Sequence, residues 1–150
     1  MHILKTLKNK IMSKELESVK QLVPAFTDER GDIINMFEGP IHQIAHITCT
    51  EGAVRANHYH KTLHQYMYCL SGEFESWSCD INNPENKKME IVKPGMIVNT
   101  PPLVAHAQRF TKPSEVIALS TITRSEGAYE EDTYSFQVID GYINPELRKG

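Results

Sequence analysis

The sequence has few cysteines, no long apolar run and no strong excess of charge of either sign. Its three cysteines, Cys49, Cys69 and Cys79, are odd in number and form no CxxC pair, which favours reduced thiols in a cytoplasmic protein. No apolar run approaches the roughly 20 residues that cross a bilayer, and no apolar h-region marks a secretory signal. A net charge of −3 gives no general field that would attract nucleic acid. A membrane role and a nucleic-acid partner are therefore not expected.

The length of 150 residues suits one domain with one hydrophobic core. We predict a single β-barrel domain over residues 23–150, preceded by an N-terminal extension over residues 1–22. That extension is expected to be a disordered tail or a short helix from Ser13 to Leu22 that ends before Pro24. No internal repeat or low-complexity tract divides the chain further.

After Pro24 the sequence reads as short strands between turn signals, with almost no helical periodicity. The predicted strands cover residues 33–37, 41–48, 56–60, 65–70, 74–80, 89–92, 96–99, 105–110 and 116–123. Many short strands must remove their open edges by closing a barrel or by stacking two sheets. The pattern thus predicts an all-β fold, and it leaves both a jelly roll and an immunoglobulin-like sandwich open.

The histidines separate these two folds. His58 and His60 are two positions apart in a strand, so their imidazoles share one face. Gln65 opens the next strand after a short turn, and a hairpin there would bring its side chain beside the histidine pair. His106 follows the rigid Pro101-Pro102 turn and can be directed at the same pocket.

These positions resemble the two sequence motifs of the cupin superfamily. The first motif is matched by Gly52, His58, His60 and Gly72, with Gln65 in place of the usual Glu, and the second by Gly95, Pro101 and His106, with Leu103 in place of a Gly. The resemblance implies a cupin double-stranded β-helix, which is a jelly-roll barrel.

A narrower resemblance is to the RmlC-like cupins that act on nucleotide sugars. These are dTDP-4-keto-6-deoxyglucose 3,4-ketoisomerases and dTDP-4-dehydrorhamnose 3,5-epimerases. The residues that carry it are Arg55, His58, His60, Lys61 and Gln65, the Asp28-Glu29-Arg30-Gly31 turn, and the acidic, tyrosine-rich stretch over residues 129–136. It implies a homodimeric isomerase or epimerase of a nucleotide-linked keto-sugar, working without a cofactor in surface polysaccharide biosynthesis.

Proton transfer beside a ketone needs a base with a pKa near the working pH and a group that stabilises the developing enolate. In the isomerase interpretation His58 and His60 are the base and its partner, and Tyr66 or Tyr134 serves as the acid. The residues expected to bind the substrate and its diphosphate are Arg55, Lys61, Gln65 and Arg109.

Two other interpretations stay open. Three imidazoles and one carboxamide, from His58, His60, His106 and Gln65, suit a divalent Fe, Mn, Ni or Zn ion, so the chain could be a metal-dependent cupin enzyme. A site of three histidines without Gln65 is equally compatible. The chain could also be a cupin that binds a sugar without catalysis.

Overall fold

A computed structural model describes residues 15–149, whose regular secondary structure is almost entirely β-strand. The strands are β1 (Ser18–Gln21), β2 (Phe26–Asp28), β3 (Gly31–Ile33), β4 (Gln43–Cys49), β5 (Val54–His60), β6 (Gln65–Ser71), β7 (Phe74–Asp80), β8 (Asn83–Val92), β9 (Met96–Thr100), β10 (Val104–Phe110), β11 (Ser114–Ser120), β12 (Thr133–Ser135) and β13 (Arg148–Lys149). One helical turn, α1 (Ala128–Glu131), follows a 3-10 turn at Ser125–Gly127. Within the described range no helix is long and apolar enough to cross a membrane.

Two large sheets and one small hairpin make up the fold. The first sheet has five strands in the order β1-β9-β6-β11-β4, and the second has six in the order β13-β12-β5-β10-β7-β8. The β2 and β3 strands pair only with each other. Neighbouring strands within the large sheets are antiparallel except for β12 and β13. The predicted all-β jelly-roll fold is confirmed.

The main core lies between the two large sheets. Met67, Val98 and Val116 of the five-stranded sheet pack in one cluster with Phe74 and Phe110 of the six-stranded sheet. A second cluster lies on the other face of the six-stranded sheet, where the C-terminal segment covers it. The six-stranded sheet is therefore buried on both faces over part of its area, which holds its central strands, β5 and β10, firmly in place.

The helix predicted from Ser13 to Leu22 is wrong over residues 18–21, which form β1. This segment pairs antiparallel with β9, and Val19 packs against the main core while Glu17 is buried. Glu17 and Val19 point inward at alternate positions, which is the period of a strand. The edge of β9 also offers backbone donors and acceptors with which a strand can pair and a helix cannot. The five-stranded sheet thus includes part of the predicted N-terminal extension. Residues 1–14 of that extension lie outside the described residues.

The strand predicted over residues 33–37 is also displaced. The β2–β3 hairpin pairs Phe26 with Ile33, so β3 ends where the predicted strand begins. Its turn is fixed by Asp28, whose carboxylate accepts hydrogen bonds from the backbone N–H of Arg30 at 2.9 Å and from its guanidinium. Because this turn closes between Asp28 and Gly31, β3 begins at Gly31, two residues before the predicted strand.

The glycines of the two cupin motifs occupy turns that require positive φ. Gly52, Gly72 and Gly95 have φ of +85°, +88° and +86°. At Gly72 an added Cβ would also collide with the side chain of Ser114. Glycine is thus required at these turns by backbone conformation and, at Gly72, by close packing as well.

Candidate active site

Three imidazoles from two adjacent strands meet inside the barrel. His58 and His60 come from β5 and His106 from β10, and all three are buried. The ring centroid of His58 lies 4.7 Å from those of both His60 and His106, and 5.5 Å separate His60 from His106. One nitrogen can be taken from each ring so that all of them lie within 4.8 Å of one another. The structure thus brings together the histidines that the motif spacing selected.

A bulge in β5 sets the direction of these side chains. His58 lies opposite His106 across the ladder, but Ala56 lies opposite Ala107, so Asn57 is an extra residue on β5. Ala56 and Asn57 have φ of +67° and +53°. A bulge of this kind bends the strand and re-aims the residues that follow it, which here are the two histidines.

The side chain of Asn57 fixes the bulge from the outer side. Its Oδ1 accepts hydrogen bonds from the backbone N–H of Val138 at 2.9 Å and of Ile139 at 3.1 Å. Its Nδ2 donates to the carbonyl oxygens of Ile139 at 3.1 Å and Tyr142 at 3.2 Å. The C-terminal segment is therefore part of the framework that orients His58.

Backbone carbonyls define the tautomers of two histidines. Nδ1 of His60 lies 3.2 Å from the carbonyl oxygen of Asp132, and Nδ1 of His106 lies 3.1 Å from that of Val104. Because a carbonyl oxygen only accepts, the proton is assigned to Nδ1 in both rings, and Nε2 keeps its lone pair. Both Nε2 atoms are buried without a hydrogen-bond partner among the described residues. Two such lone pairs in a cluster of three imidazoles fit the donor set of a transition metal.

Burial keeps all three imidazoles neutral. It lowers the pKa of His60 to about 4 and that of His106 to about 3, and it holds the pKa of His58 well below its usual value. The neighbouring imidazoles add to the effect on His58 and His106, because a second positive charge in the cluster is unfavourable. At neutral pH each ring is therefore unprotonated and has a nitrogen lone pair.

A cavity opens between the two sheets beside this cluster, and His58 is the histidine that lines it. Polar and charged side chains share the lining with apolar ones from β4, β5, β6 and β11. The polar and charged members are Gln43, Arg55, His58, Gln65, Gln108, Ser120, Arg124 and Tyr129. Such a mixture suits a small polar ligand that is held by a few directed contacts.

Two of the predicted substrate-binding residues, Arg55 and Gln65, reach the cavity. The guanidinium of Arg55 donates to the carbonyl oxygen of Thr48 at 3.0 Å and to Sγ of Cys49 at 3.1 Å. These contacts hold Arg55 at the cavity wall.

The structure does not bring the other two predicted cations to the cavity. Nζ of Lys61 lies 4.5 Å from the centre of the Tyr134 ring, outside the barrel. Arg109 pairs with Glu75, with Nη1 and Oε1 3.4 Å apart. Since Gln108 lines the cavity, the alternation along β10 turns Arg109 to the opposite face.

The predicted acids, Tyr66 and Tyr134, also lie outside the cavity. Tyr66 stacks on His64 with 4.6 Å between ring centroids, because Gln65 and Met67 are the inward residues of β6. Tyr134 stacks on Tyr59 at 5.3 Å, on the outer face of the six-stranded sheet. Strand parity excludes both hydroxyls from direct contact with a ligand in this cavity.

Tyr129 and Arg124 occupy the cavity instead. The ring centroid of Tyr129 lies 5.4 Å from that of His60 and 6.4 Å from that of His58. Cζ of Arg124 lies 3.8 Å from the centre of the Tyr129 ring. Sequence reasoning included Tyr129 in the tyrosine-rich stretch but gave it no role, and nothing in the local pattern singled out Arg124.

Comparison with known proteins identifies the fold. Residues 22–140 match a protein-family model described as FdtA: WxcM-like, C-terminal. No curated protein matches the chain in sequence. Among solved structures, the chain resembles a double mutant of the QdtA 3,4-ketoisomerase from Thermoanaerobacterium thermosaccharolyticum in complex with TDP. The TM-score is 0.65 and the identity 23%, covering 81% of this chain and 88% of the other.

Two epimerase structures show the same fold. The dTDP-4-dehydrorhamnose 3,5-epimerase from Sulfolobus tokodaii gives a TM-score of 0.62 at 18% identity, covering 79% of this chain and 77% of the other. The rmlC epimerase from Mycobacterium tuberculosis gives a TM-score of 0.67 at 13% identity, covering 83% and 70%. The predicted RmlC-like architecture is therefore confirmed.

Proposed function

The chain belongs to the FdtA family (WxcM-like, C-terminal), and from this premise we propose that it is an isomerase or epimerase of a nucleotide-linked keto-sugar. The observation that carries the proposal is the neutral imidazole of His58 at the wall of a cavity that also contains Tyr129. Solved structures with the same fold include enzymes named as 3,4-ketoisomerases and 3,5-epimerases of such sugars. We further propose that the product is used in surface polysaccharide assembly.

In the proposed reaction His58 takes the proton from a carbon beside the ketone. The electron pair of that C–H bond forms a carbon–carbon double bond, and the ketone oxygen becomes an enolate oxygen. Return of the proton to the opposite face of the same carbon gives an epimer. Return to the neighbouring carbon, with transfer of a hydroxyl proton between the two oxygens, moves the ketone. A base that is unprotonated at neutral pH suits this step.

The other cavity residues have distinct roles in this proposal. His60 supports the ring of His58, and Tyr129 supplies and receives the proton on oxygen. Arg124 places a positive charge near His58 and His60, where the enolate charge develops. Arg55 contacts the diphosphate.

Exchange of protons with solvent tests the proposal directly. TDP-4-keto-6-deoxyglucose is incubated with the protein in deuterium oxide, and deuterium at carbon is followed by NMR. We expect incorporation and a new keto-sugar with the wild-type protein, and a loss of at least about 100-fold with His58→Asn. His46→Asn is the matched control, because His46 is exposed and pairs with Glu115 on the outer face of the five-stranded sheet. Absence of exchange in the wild type would reject the proposed function.

A metal-dependent enzyme is the second candidate, and the unpartnered Nε2 atoms of His60 and His106 favour it. His58, His60 and His106 would hold a divalent ion, with Gln65 at the same cavity as a further donor. The ion, when bound, supplies Lewis-acid stabilisation of an oxygen anion. The carbonyl oxygens of Asp132 and Val104 keep Nε2 of His60 and His106 available to it.

Elemental analysis separates the two candidates. Protein purified without added metal is analysed, and its exchange activity is measured before and after chelation. We expect less than about one-tenth of an equivalent of transition metal and no loss of activity on chelation. A near-stoichiometric metal whose removal abolishes activity would replace the metal-free proposal with the metal-dependent one.

A further inference from the structure

The carboxylate of Asp132 binds three consecutive backbone amides of the turn between β5 and β6. Oδ1 accepts hydrogen bonds from the N–H groups of Lys61 and Thr62, both at 3.1 Å. Oδ2 accepts from Thr62 at 3.1 Å and from Leu63 at 2.7 Å. Charge-assisted bonds to backbone are among the stronger ones in proteins, and this set satisfies the donors of a turn that directly follows His60.

The backbone of Asp132 connects the same turn to the cavity residues. Its carbonyl oxygen accepts from Nδ1 of His60 at 3.2 Å, and its N–H donates to the carbonyl oxygen of Tyr129 at 3.2 Å. The next residue, Thr133, lies opposite His60 in the ladder, and its hydroxyl donates to the same Tyr129 carbonyl. Asp132 thus links α1, which contains Tyr129, to β5, which contains His60.

We propose that Asp132 is a positioning residue for the reaction proposed above, on which this inference rests. Its carboxylate holds α1 and β12 against the β5–β6 turn, and so fixes the hydroxyl-bearing ring of Tyr129 relative to the imidazoles. The side chain acts through the backbone of residues 61–63 and does not line the cavity. Loss of the carboxylate therefore alters how the acid and the base are placed and leaves the ligand contacts intact.

Asp132→Asn tests this role with little change of shape. The amide keeps one acceptor oxygen but turns an NH2 group toward a backbone N–H, so the charge and about half of the acceptor capacity are lost. The matched control is Glu131→Gln, which removes the neighbouring carboxylate, an exposed one. Asp132→Ser, which retains one small acceptor, serves as a second variant, and thermal melts establish that each variant is folded.

We expect the kcat of Asp132→Asn to fall about 10- to 100-fold, because small displacements of reacting groups have effects of that size. Binding of TDP, measured by calorimetry, is expected to stay within about twofold of wild type. Glu131→Gln is expected to match the wild type in both. A kcat within about twofold of wild type, or a loss of TDP binding as large as the loss of kcat, overturns the positioning role.

A spectroscopic measurement keeps this test independent of the proposed function. Long-range ¹H–¹⁵N correlations of the His60 ring report its tautomer without substrate. We expect the Nδ1–H form in the wild type and in Glu131→Gln, and a shifted or mixed pattern in Asp132→Asn. An unchanged His60 pattern in Asp132→Asn overturns the inference. Absence of any exchange activity in the wild type rejects the proposed function instead, and the His60 pattern then decides the role of Asp132 alone.

Discussion

The guanidinium carbon of Arg124 lies 3.8 Å from the centre of the Tyr129 ring, as a cation over an aromatic face. Burial raises the pKa of Tyr129 above its usual value, and the charge of Arg124 opposes that rise. The same charge adds to the lowering of the pKa of His58 that burial causes. On balance Tyr129 stays a protonated phenol and His58 a neutral imidazole, which is the acid and base pair from which the proposed reaction starts.

Replacement of Tyr129 by Phe removes the hydroxyl and keeps the ring under Arg124. We expect kcat for the keto-sugar to fall about 100- to 1000-fold, because a positioned acid or base contributes effects of that order. The controls are Tyr66→Phe and Tyr134→Phe, whose hydroxyls lie outside the cavity and which should keep activity within about twofold. Steady-state kinetics compare all three. A large loss in either control, with Tyr129→Phe unaffected, would reassign the acid to an outer tyrosine.

Asn57 has a positive backbone φ of +53°, and its side chain makes four hydrogen bonds to the C-terminal segment. We expect Asn57→Ala to lower the free energy of unfolding by about 3 kcal/mol, because buried amides of the C-terminal segment lose their partners. Asn57→Gly loses the same bonds but tolerates a φ of +53°, so it should be about 1 kcal/mol more stable than the alanine variant. Urea titrations measure both, with the exposed Asn86→Ala as control. Equal stability of the two variants would show that the bulge is unstrained.

The positions of the histidines were predictable because they depend on local rules. His58 and His60 are two positions apart, and the bulge at Asn57 lies before both of them. The two-residue period of a strand is therefore intact between the two histidines, and their imidazoles share one face. The turn glycines of the motifs are likewise local requirements. The fold class followed from strand spacing and from these motifs together.

The proposed acid, Tyr129, was not predictable from the sequence, because its place in the cavity depends on tertiary contacts. Residues 124–132 carry no strand or helix period, and the location of Tyr129 depends on how Asp132 docks onto the β5–β6 turn. Tyr66 failed as a candidate for a simpler reason, since Gln65 had already been placed inward and adjacent strand residues alternate. The strand at residues 18–21 escaped prediction because its partner, β9, is far away in sequence.

Glu17 gives the protein a stability component that weakens as the pH rises. Its carboxyl is buried between the sheets, where the hydroxyls of Ser76 and Thr100 donate to it. Burial raises its pKa from the usual 4.5 to about 7, so the folded protein keeps a proton that the unfolded chain releases near pH 4.5. The stabilisation is complete below that pH and is lost as the pH rises to about 7, by about 3 kcal/mol in all.

Glu17→Gln isolates this effect. The free energy of unfolding of the variant, minus that of the wild type, should increase by about 3 kcal/mol between pH 4.5 and pH 8. The histidine cluster has the opposite pH dependence, because its pKa values are lowered, but it is common to both proteins and cancels in the difference. Glu15→Gln, which removes a nearby exposed carboxylate, is the matched control. A difference for Glu17→Gln that stays flat across this pH range would mean that burial does not raise the pKa of Glu17.

The β2–β3 hairpin and the loop before it expose large apolar side chains, and we expect a second copy of the chain to cover them. Val23, Phe26 and Ile33 are 73%, 51% and 58% exposed. An isolated two-stranded hairpin has little stability of its own, and burial of each such side chain contributes about 1.5–3 kcal/mol.

Light scattering should give twice the 17.1 kDa of one chain. Phe26→Ser with Ile33→Ser should weaken the dimer at least about 100-fold, whereas Met89→Ser, on the exposed face of β8, should not. A monomer at micromolar concentration, or a dimer that resists the double substitution, would show that this hairpin is not the contact.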